Sequence, residues 1–154
     1  MDRAFQRRPR KSKYVFEYGT FQVCLVNGMN TGNLGVETID VDGEPLRVTN
    51  LARTLIDATI RPAYAGGCSA VMKAFKKAKD RVSADQIIAM LKKIKYVYPY
   101  HQAIGFYMEN VGFDEEAVNK LRKLGLRYDF YLDYNMKKKA FSKEWRIYHP
   151  KDLR

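Results

Sequence analysis

The chain has 154 residues, 46% of them hydrophobic, and this length and composition are typical of a single globular domain with a real core. Lysine and arginine number 28 against 17 aspartates and glutamates, so the formal net charge of +11 favours an anionic partner such as DNA or RNA. The longest apolar run, FQVCLV, is too short to span a bilayer, and no secretion signal is recognisable. We therefore expect a cytoplasmic protein without a membrane partner.

The cysteines and glycines suggest neither a metal site nor a cofactor site. Cys24 and Cys68 are far apart and have no histidine nearby, so both are expected to be free thiols in a reducing compartment. The pair Gly66-Gly67 lets the backbone turn tightly, but it lacks the lysine of a P-loop and the spacing of a dinucleotide motif. We predict no bound metal and no cofactor.

Two regions differ in composition. Residues 1–13 carry six basic side chains against one acidic one, which predicts a basic tail or a linker stub rather than part of a core. Residues 14–154 are predicted to form a single domain. The first part of this domain favours short strands, and the pair Asp42-Gly43 is a strong hairpin signal. The predicted strands are YVFEY, FQVCLV, VETIDV and PLRV.

The middle of the chain has the periodicity of five helices. The first of them is expected to stop at Arg61-Pro62. The start signals are a cap at Thr49 or Asn50, then Ser69, a Ser83–Gln86 capping box, Pro99 and Asp114.

Strand periodicity returns after the fifth predicted helix. Apolar and polar residues alternate from Leu126 to Asn135, and FSKEWRIYH is predicted to pair with this strand as a hairpin. The order of elements predicts an α+β fold. It would have a mainly antiparallel sheet, built from the N-terminal strands and a C-terminal hairpin, with about five helices from the middle of the chain packed against it.

The stretch YPYHQAIGFYMEN raises the question of whether its histidine is catalytic. At helical spacing His101 lies at the edge of a wide apolar face, with Gln102 and Glu109 on the opposite side. We favour a structural role, because the sequence identifies no partner acid or nucleophile. Gly105 in the middle of this helix costs about 1 kcal/mol relative to alanine. This cost predicts the close approach of another backbone and a central position for the helix.

Carboxylates could support a metal-dependent nuclease, which is the alternative function. Asp129 and Asp133 share a face of the predicted strand, but four strand residues separate them by about 13 Å. One ion cannot bridge that distance, so a metal site would need residues that the fold brings together. Arg53 and Asp57 have the i, i+4 spacing of a surface ion pair on the first helix, which we favour over a partner-binding arginine.

The lysines are better placed for binding nucleic acid. The more specific hypothesis is that lysines of the second and third helices form one contiguous patch that binds nucleic acid. The simpler hypothesis is that these lysines only face solvent, where those at a helix end also complement the helix dipole. The residues of this patch are Lys73, Lys76, Lys77, Lys92 and Lys93. A third possibility is a protein-interaction module whose exposed aromatic residues, such as Tyr131 or Tyr148, mark the partner surface.

Several segments together resemble a known family. These segments are, in order, RVTNLARTLIDATIRPAYAGG, a lysine-rich helix, YPYHQAIGFYMEN, DFYLDY and KEWRIYHP. Their order is similar to that in the C-terminal domain of AbiEi-type antitoxins, the transcriptional regulators of bacterial abortive-infection systems. The resemblance covers roughly residues 14–150. It implies a role in phage defence without enzymatic activity.

The resemblance also implies partners. In this family an N-terminal winged helix binds the promoter, and the C-terminal domain supports antitoxicity and cooperative DNA binding. The toxin is a nucleotidyltransferase-like protein that need not contact the antitoxin. This sequence departs from the family pattern, because no helix-turn-helix is recognisable before Tyr14. No catalytic residue is implied, and the positions expected to serve antitoxicity or domain integrity are Arg53, Asp57, Arg61, Tyr64, Gly66, Gly67 and, as a structural residue, His101.

Overall fold

The computed structural model of the protein describes residues 12–28, 32–134 and 136–153, and it confirms the predicted α+β fold class. Of the predicted basic tail 1–13, only residues 12 and 13 are described, and residues 1–11 lie outside the described part of the chain. Within the described ranges no helix combines the length and the apolar character that crossing a membrane requires.

The first two strand pairs are antiparallel hairpins, and the second of them is the hairpin predicted at Asp42-Gly43. They comprise β1 (Val15–Tyr18) with β2 (Phe21–Cys24), and β3 (Val36–Val41) with β4 (Glu44–Thr49). Asp42 and Gly43 both adopt positive φ, at 56° and 85°, as a two-residue turn between twisted strands requires. Most side chains of both hairpins are exposed, so these strands contribute little to the core.

Five helices in the described residues form the centre of the domain. They are α1 (Leu51–Ile60), α2 (Cys68–Ala78), α3 (Ala84–Ile94), α4 (Tyr100–Asn110) and α5 (Glu115–Arg122), with a short 3-10 turn at Pro62–Tyr64. The predicted caps of α1, α3 and α5 are confirmed: Asn50 and Asp114 accept backbone N–H bonds, and Ser83 forms the reciprocal capping box with Gln86.

Helix α4 is the central helix, as its glycine predicted. It packs against α1, α2, α5 and the C-terminal strands. Gly105 allows the ring of Trp145 to reach the helix, because an added Cβ would lie only 2.1 Å from Cη2 of that ring. The predicted close approach is therefore made by a fully buried indole and not by another backbone.

The polar side of α4 was predicted wrongly. Gln102 is fully buried, and its amide donates to the backbone oxygens of Tyr128 at 2.9 Å and Trp145 at 2.7 Å. Glu109 is half-buried and accepts from the indole N–H of Trp145 at 2.6 Å. Helical spacing placed both residues opposite the apolar face, but the C-terminal segment covers that side of the helix as well.

The C-terminal sheet differs from the predicted hairpin. Its strands are β5 (Phe130–Tyr131), β6 (Lys139–Ser142) and β7 (Ile147–Pro150), in the order β5-β7-β6. The hairpin joins β6 to β7, and β5 pairs with β7 in parallel. The long strand predicted from 126 to 135 was wrong: only Phe130 and Tyr131 of its described residues are in a strand, and the backbone oxygen of Tyr128 is bound by Gln102 of α4. Residue 135 lies outside the described part of the chain.

The strands form three separate sheets, two of two strands and one of three, within the described chain. The helices pack against the C-terminal sheet through Phe130 and Ile147, which are almost completely buried. The core thus lies between the helices and this sheet, and the surface of the helical layer carries the lysines considered next.

Candidate nucleic-acid interface

Three lysines of α2 share one exposed face. Lys73, Lys76 and Lys77 are spaced i, i+3 and i+4, and all three are exposed, while Val71 and Phe75 on the other side of the helix are buried. In the described part of the protein these lysines form no ion pair, although Asp80 follows them by one turn. The face therefore presents three like charges to solvent.

Lys92 and Lys93 lie on the next helix, α3. Both are exposed in the last turn of α3, where cations also complement the helix dipole. Lys92 is eight residues from the start of α3, or about 12 Å along its axis, and so lies away from the loop that joins the two helices. Helix α2 packs against α1 and α4, whereas α3 packs against α1 and α5. The three lysines of α2 share one face of a single helix, whereas Lys92 and Lys93 belong to α3, whose main packing partners include α5 instead of α4.

Arg53 and Asp57 form the predicted ion pair, with Nε and Oδ2 2.7 Å apart, but the pair is less exposed than expected. Arg53 is buried, with 8% of its surface exposed, and its Nη1 donates to the backbone oxygen of Leu34 at 3.0 Å. Gly35 lies directly against Arg53, and its oxygen accepts from Asn50 N–H at 2.6 Å. Arg53 therefore joins α1 to the segment that leads into β3.

The turn after α1 is held by contacts with the first hairpin region. Arg61 donates to the backbone oxygen of Asn27, and the Tyr64 hydroxyl accepts from Ser12 N–H at 2.8 Å. Gly66 and Gly67 have φ of 83° and 87°, where a side chain would be strained. Gly67 caps α2, so this segment works as a structural corner.

His101 is packed, as predicted. It is half-buried on α4, and its Nε2 lies 2.7 Å from the backbone oxygen of Gly125, just after α5. Burial lowers the pKa of the imidazole below 6.5, with the bond to Gly125 acting in the opposite direction. A neutral ring that donates to a carbonyl oxygen ties the segment after α5 to α4.

The aspartates considered for a nuclease have other partners. Asp129 pairs with Arg146 at 2.8 Å, and an oxygen of Asp133 accepts from Tyr134 N–H at 2.7 Å. These aspartates do not share one strand face, since only Phe130 and Tyr131 of this segment are in a strand. Across residues 12–28, 32–134 and 136–153, no three histidine, cysteine, aspartate or glutamate side chains are grouped closely enough to hold a metal ion.

Both cysteines are free, and one of them is buried. Burial raises the pKa of the Cys68 thiol to about 11, and the neighbouring Tyr107 hydroxyl offsets this only in part. The thiol is protonated at neutral pH, and a protonated thiol is a poor nucleophile.

An aromatic group at the start of α4 was not predicted from the sequence. The rings of Tyr96 and Tyr100 lie 5.2 Å apart, Tyr98 packs beside them, and Tyr100 contacts Phe130 at 5.4 Å. Burial raises the pKa of Tyr100 to about 12, so its phenol stays neutral at physiological pH. The alternation of tyrosines in KYVYPY was the available signal, but only the fold shows that Phe130 completes the group.

Comparison with known proteins finds no match to the chain among protein-family models, curated proteins or solved structures. The resemblance to AbiEi-type antitoxins therefore remains a prediction from the order of the sequence segments.

Proposed function

We propose that this chain is a binding domain of a bacterial antitoxin and transcriptional regulator, and that it contacts DNA or RNA through the lysine face of α2. It acts by binding and not by turnover, in the cytoplasm, and it opposes a nucleotidyltransferase-like toxin. This proposal joins the implication of the sequence resemblance to the charge displayed on the helical layer.

The observation that carries the proposal is the grouping of Lys73, Lys76 and Lys77 on one exposed face without a carboxylate partner among the described residues. Like charges at these spacings destabilise a helix by a few tenths of a kcal/mol each. By contrast, Lys120 on α5 pairs with Asp85 at 2.7 Å. A phosphate backbone would remove the repulsion on α2 and release counterions on binding.

The packing beneath the lysine face of α2 supports the proposal as well. The segments that carry the family resemblance form α1 with its corner, α4, and β7, and these elements pack together at the centre of the domain. The buried face of α2, through Phe75, is stacked on Tyr107 of α4 with ring centres 5.3 Å apart. The lysines are therefore held in fixed register on a rigid support.

The test is the affinity for a fluorescein-labelled 20-base-pair duplex, measured by anisotropy between 50 and 200 mM salt. Replacing all three lysines of α2 with glutamine should weaken binding and reduce the slope of log K against log salt by about 0.9 for each phosphate that is no longer neutralised. The matched control removes the same charge from scattered exposed positions, with Lys13→Gln, Arg47→Gln and Lys123→Gln.

Equal losses in the triple variant and the control would mean that net charge alone drives binding, and would remove the α2 face from the proposal. Cleavage of the labelled strands in magnesium, abolished by Asp129→Asn, would replace the proposal with the nuclease alternative. A chain that binds neither DNA nor RNA duplexes at 50 mM salt would contradict nucleic-acid binding by this domain.

A further inference from the structure

Three aromatic rings form a row across the C-terminal sheet. In the strand register Tyr131 of β5 and Phe141 of β6 are both partners of Tyr148 in the middle strand β7. The ring centres of Tyr131 and Tyr148 are 4.6 Å apart with nearly parallel planes, and those of Phe141 and Tyr148 are also 4.6 Å apart. The row therefore runs perpendicular to the strands.

This row lies on the face of the sheet that points away from the helices. Neighbouring residues of a strand alternate between faces, and Phe130 and Ile147, next to Tyr131 and Tyr148, are buried against the helical core. Tyr131 is itself largely covered, which corrects its predicted exposure, but Tyr148 is half-buried and Phe141 is 39% exposed. The outer end of the row is thus open to solvent.

Positive charge accompanies the rings. The ammonium of Lys139 lies over Tyr131 and Tyr148, 5.3 and 5.6 Å from their ring centres. A shallow groove beside it is lined by Lys138, Lys139, Lys151, Asp152 and Leu153. Its three lysines outnumber the single aspartate, and the exposed Lys137 precedes them in the chain. The Lys139 ammonium thus already contacts the faces of these rings, and its long, flexible side chain can move away when another group binds there.

We propose that this row, Tyr131–Tyr148–Phe141, is a stacking platform for single-stranded nucleic acid, with the backbone phosphates held by Lys138, Lys139 and Lys151. Single strands are bound by aromatic side chains that stack on bases beside a basic groove. Here the aromatic row and the basic groove meet at Lys139, which lies over the rings and lines the groove. A base stacks on Phe141 and Tyr148, and Lys139 leaves the rings for a phosphate. The inference rests on the proposed function in that the ligand is nucleic acid, but it uses a surface separate from α2 and selects unpaired strands.

The test measures binding of fluorescein-labelled dT15 and rU15 by anisotropy. Phe141→Leu with Tyr148→Leu keeps apolar bulk but removes both ring faces, and should weaken binding by at least about 25-fold, since each stacking interaction that is removed is worth about fivefold or more. The matched control exchanges the rings, with Phe141→Tyr and Tyr148→Phe, and should stay within about twofold of the wild type. Fluorescence of Trp145, which is buried, checks that each variant is folded.

Comparing the leucine variant with the variant that lacks the α2 lysines separates this inference from the proposed function. Loss of dT15 binding in the leucine variant with unchanged duplex binding would support the platform. Loss of dT15 binding only when the α2 lysines are replaced would overturn the platform and leave the proposed function intact. Equal competition by polyglutamate and by unlabelled dT15 would also overturn it, because such a surface would recognise charge without bases.

Discussion

At the scale of single residues, the contact between Gly105 and Trp145 sets the position of the C-terminal strands on α4. An added Cβ at Gly105 would lie 2.1 Å from two atoms of the indole ring, and the ring is fully buried. Gly105→Ala should therefore lower the free energy of unfolding by about 1–3 kcal/mol, as overpacked cores do. This expected loss is the net of the overpacking cost and the gain of about 1 kcal/mol that alanine brings to a helix interior. Urea denaturation monitored by circular dichroism measures the change.

The control for this substitution is Gly32→Ala, since an added Cβ at Gly32 would meet no atom within 4 Å. Its free energy of unfolding should change by less than about 1 kcal/mol. In a Trp145→Phe background the cost of Gly105→Ala should shrink, because the two residues share one contact. The steric explanation fails if the cost is the same in both backgrounds.

His101 makes a prediction about pH. Burial lowers the pKa of its imidazole in the folded state, so well above pH 6.5 the ring is neutral in both the folded and the unfolded chain and adds no pH dependence. As the pH falls below 6.5, the unfolded chain takes up the proton first. The free energy of unfolding should then decline until the pH passes the lower pKa of the folded state.

The variant His101→Gln separates this effect from the titration of other groups. A glutamine amide can donate to the oxygen of Gly125 in place of Nε2 but does not titrate. Unfolding free energies at pH 7.5, 6.5, 5.5 and 5.0 should fall less steeply for this variant than for the wild type. Parallel curves would show that the buried neutral ring contributes nothing to the acid sensitivity of the fold.

At the scale of elements, the sequence predicted what depends on neighbouring residues. Capping side chains at Asn50, Ser83 and Asp114 are read within one turn of a helix, and all three helices begin at these residues. The strand predicted for 126–135 was wrong for the opposite reason, because the partners of its backbone lie on α4 and β7. Alternation of apolar and polar residues describes a strand only when a neighbouring strand supplies the ladder.

The two candidate surfaces differ in the same way, because one could be predicted from neighbouring residues and the other depends on the fold. Lysines spaced i, i+3 and i+4 share a helix face whatever the rest of the fold does, so the α2 face was readable from the sequence. The row Tyr131–Tyr148–Phe141 was not, because a parallel and an antiparallel pairing must both be known before the three rings become neighbours. The burial of Arg53 also could not be predicted from the sequence, because its second partner, Leu34, is 19 residues away.

At the scale of the whole molecule, the surplus of positive charge is not spread evenly. Residues 1–13 hold six basic side chains against one acidic one, and Lys137, Lys138 and Lys139 are consecutive beside the aromatic row. Several basic surfaces on one small domain can engage one long polyanion together, which raises affinity without any new interaction at either site. Substitutions on one surface are therefore best compared on ligands short enough to occupy that surface alone.

The proposed antitoxin role makes a prediction for cells. If that role is correct, co-expression of the chain with a cognate nucleotidyltransferase-like toxin should restore growth that the toxin arrests, measured as the growth rate under separate induction of the two proteins. If protection depends on nucleic-acid binding, replacing Lys73, Lys76 and Lys77 with glutamine should lower the rate toward that of toxin alone. The reason is that removing several lysine–phosphate interactions reduces affinity steeply at cellular salt.

The charge-matched control, with Lys13, Arg47 and Lys123 replaced by glutamine, should protect the cells as the wild type does. Soluble protein levels of all variants need to be equal, because a destabilised domain would fail through degradation. Full protection by the α2 variant would separate antitoxicity from the lysine face and direct attention to Arg53 and Asp57 on α1 and to Arg61 at its end. Growth arrest despite abundant soluble wild-type protein would contradict the antitoxin role and leave nucleic-acid binding to be judged by its own measurements.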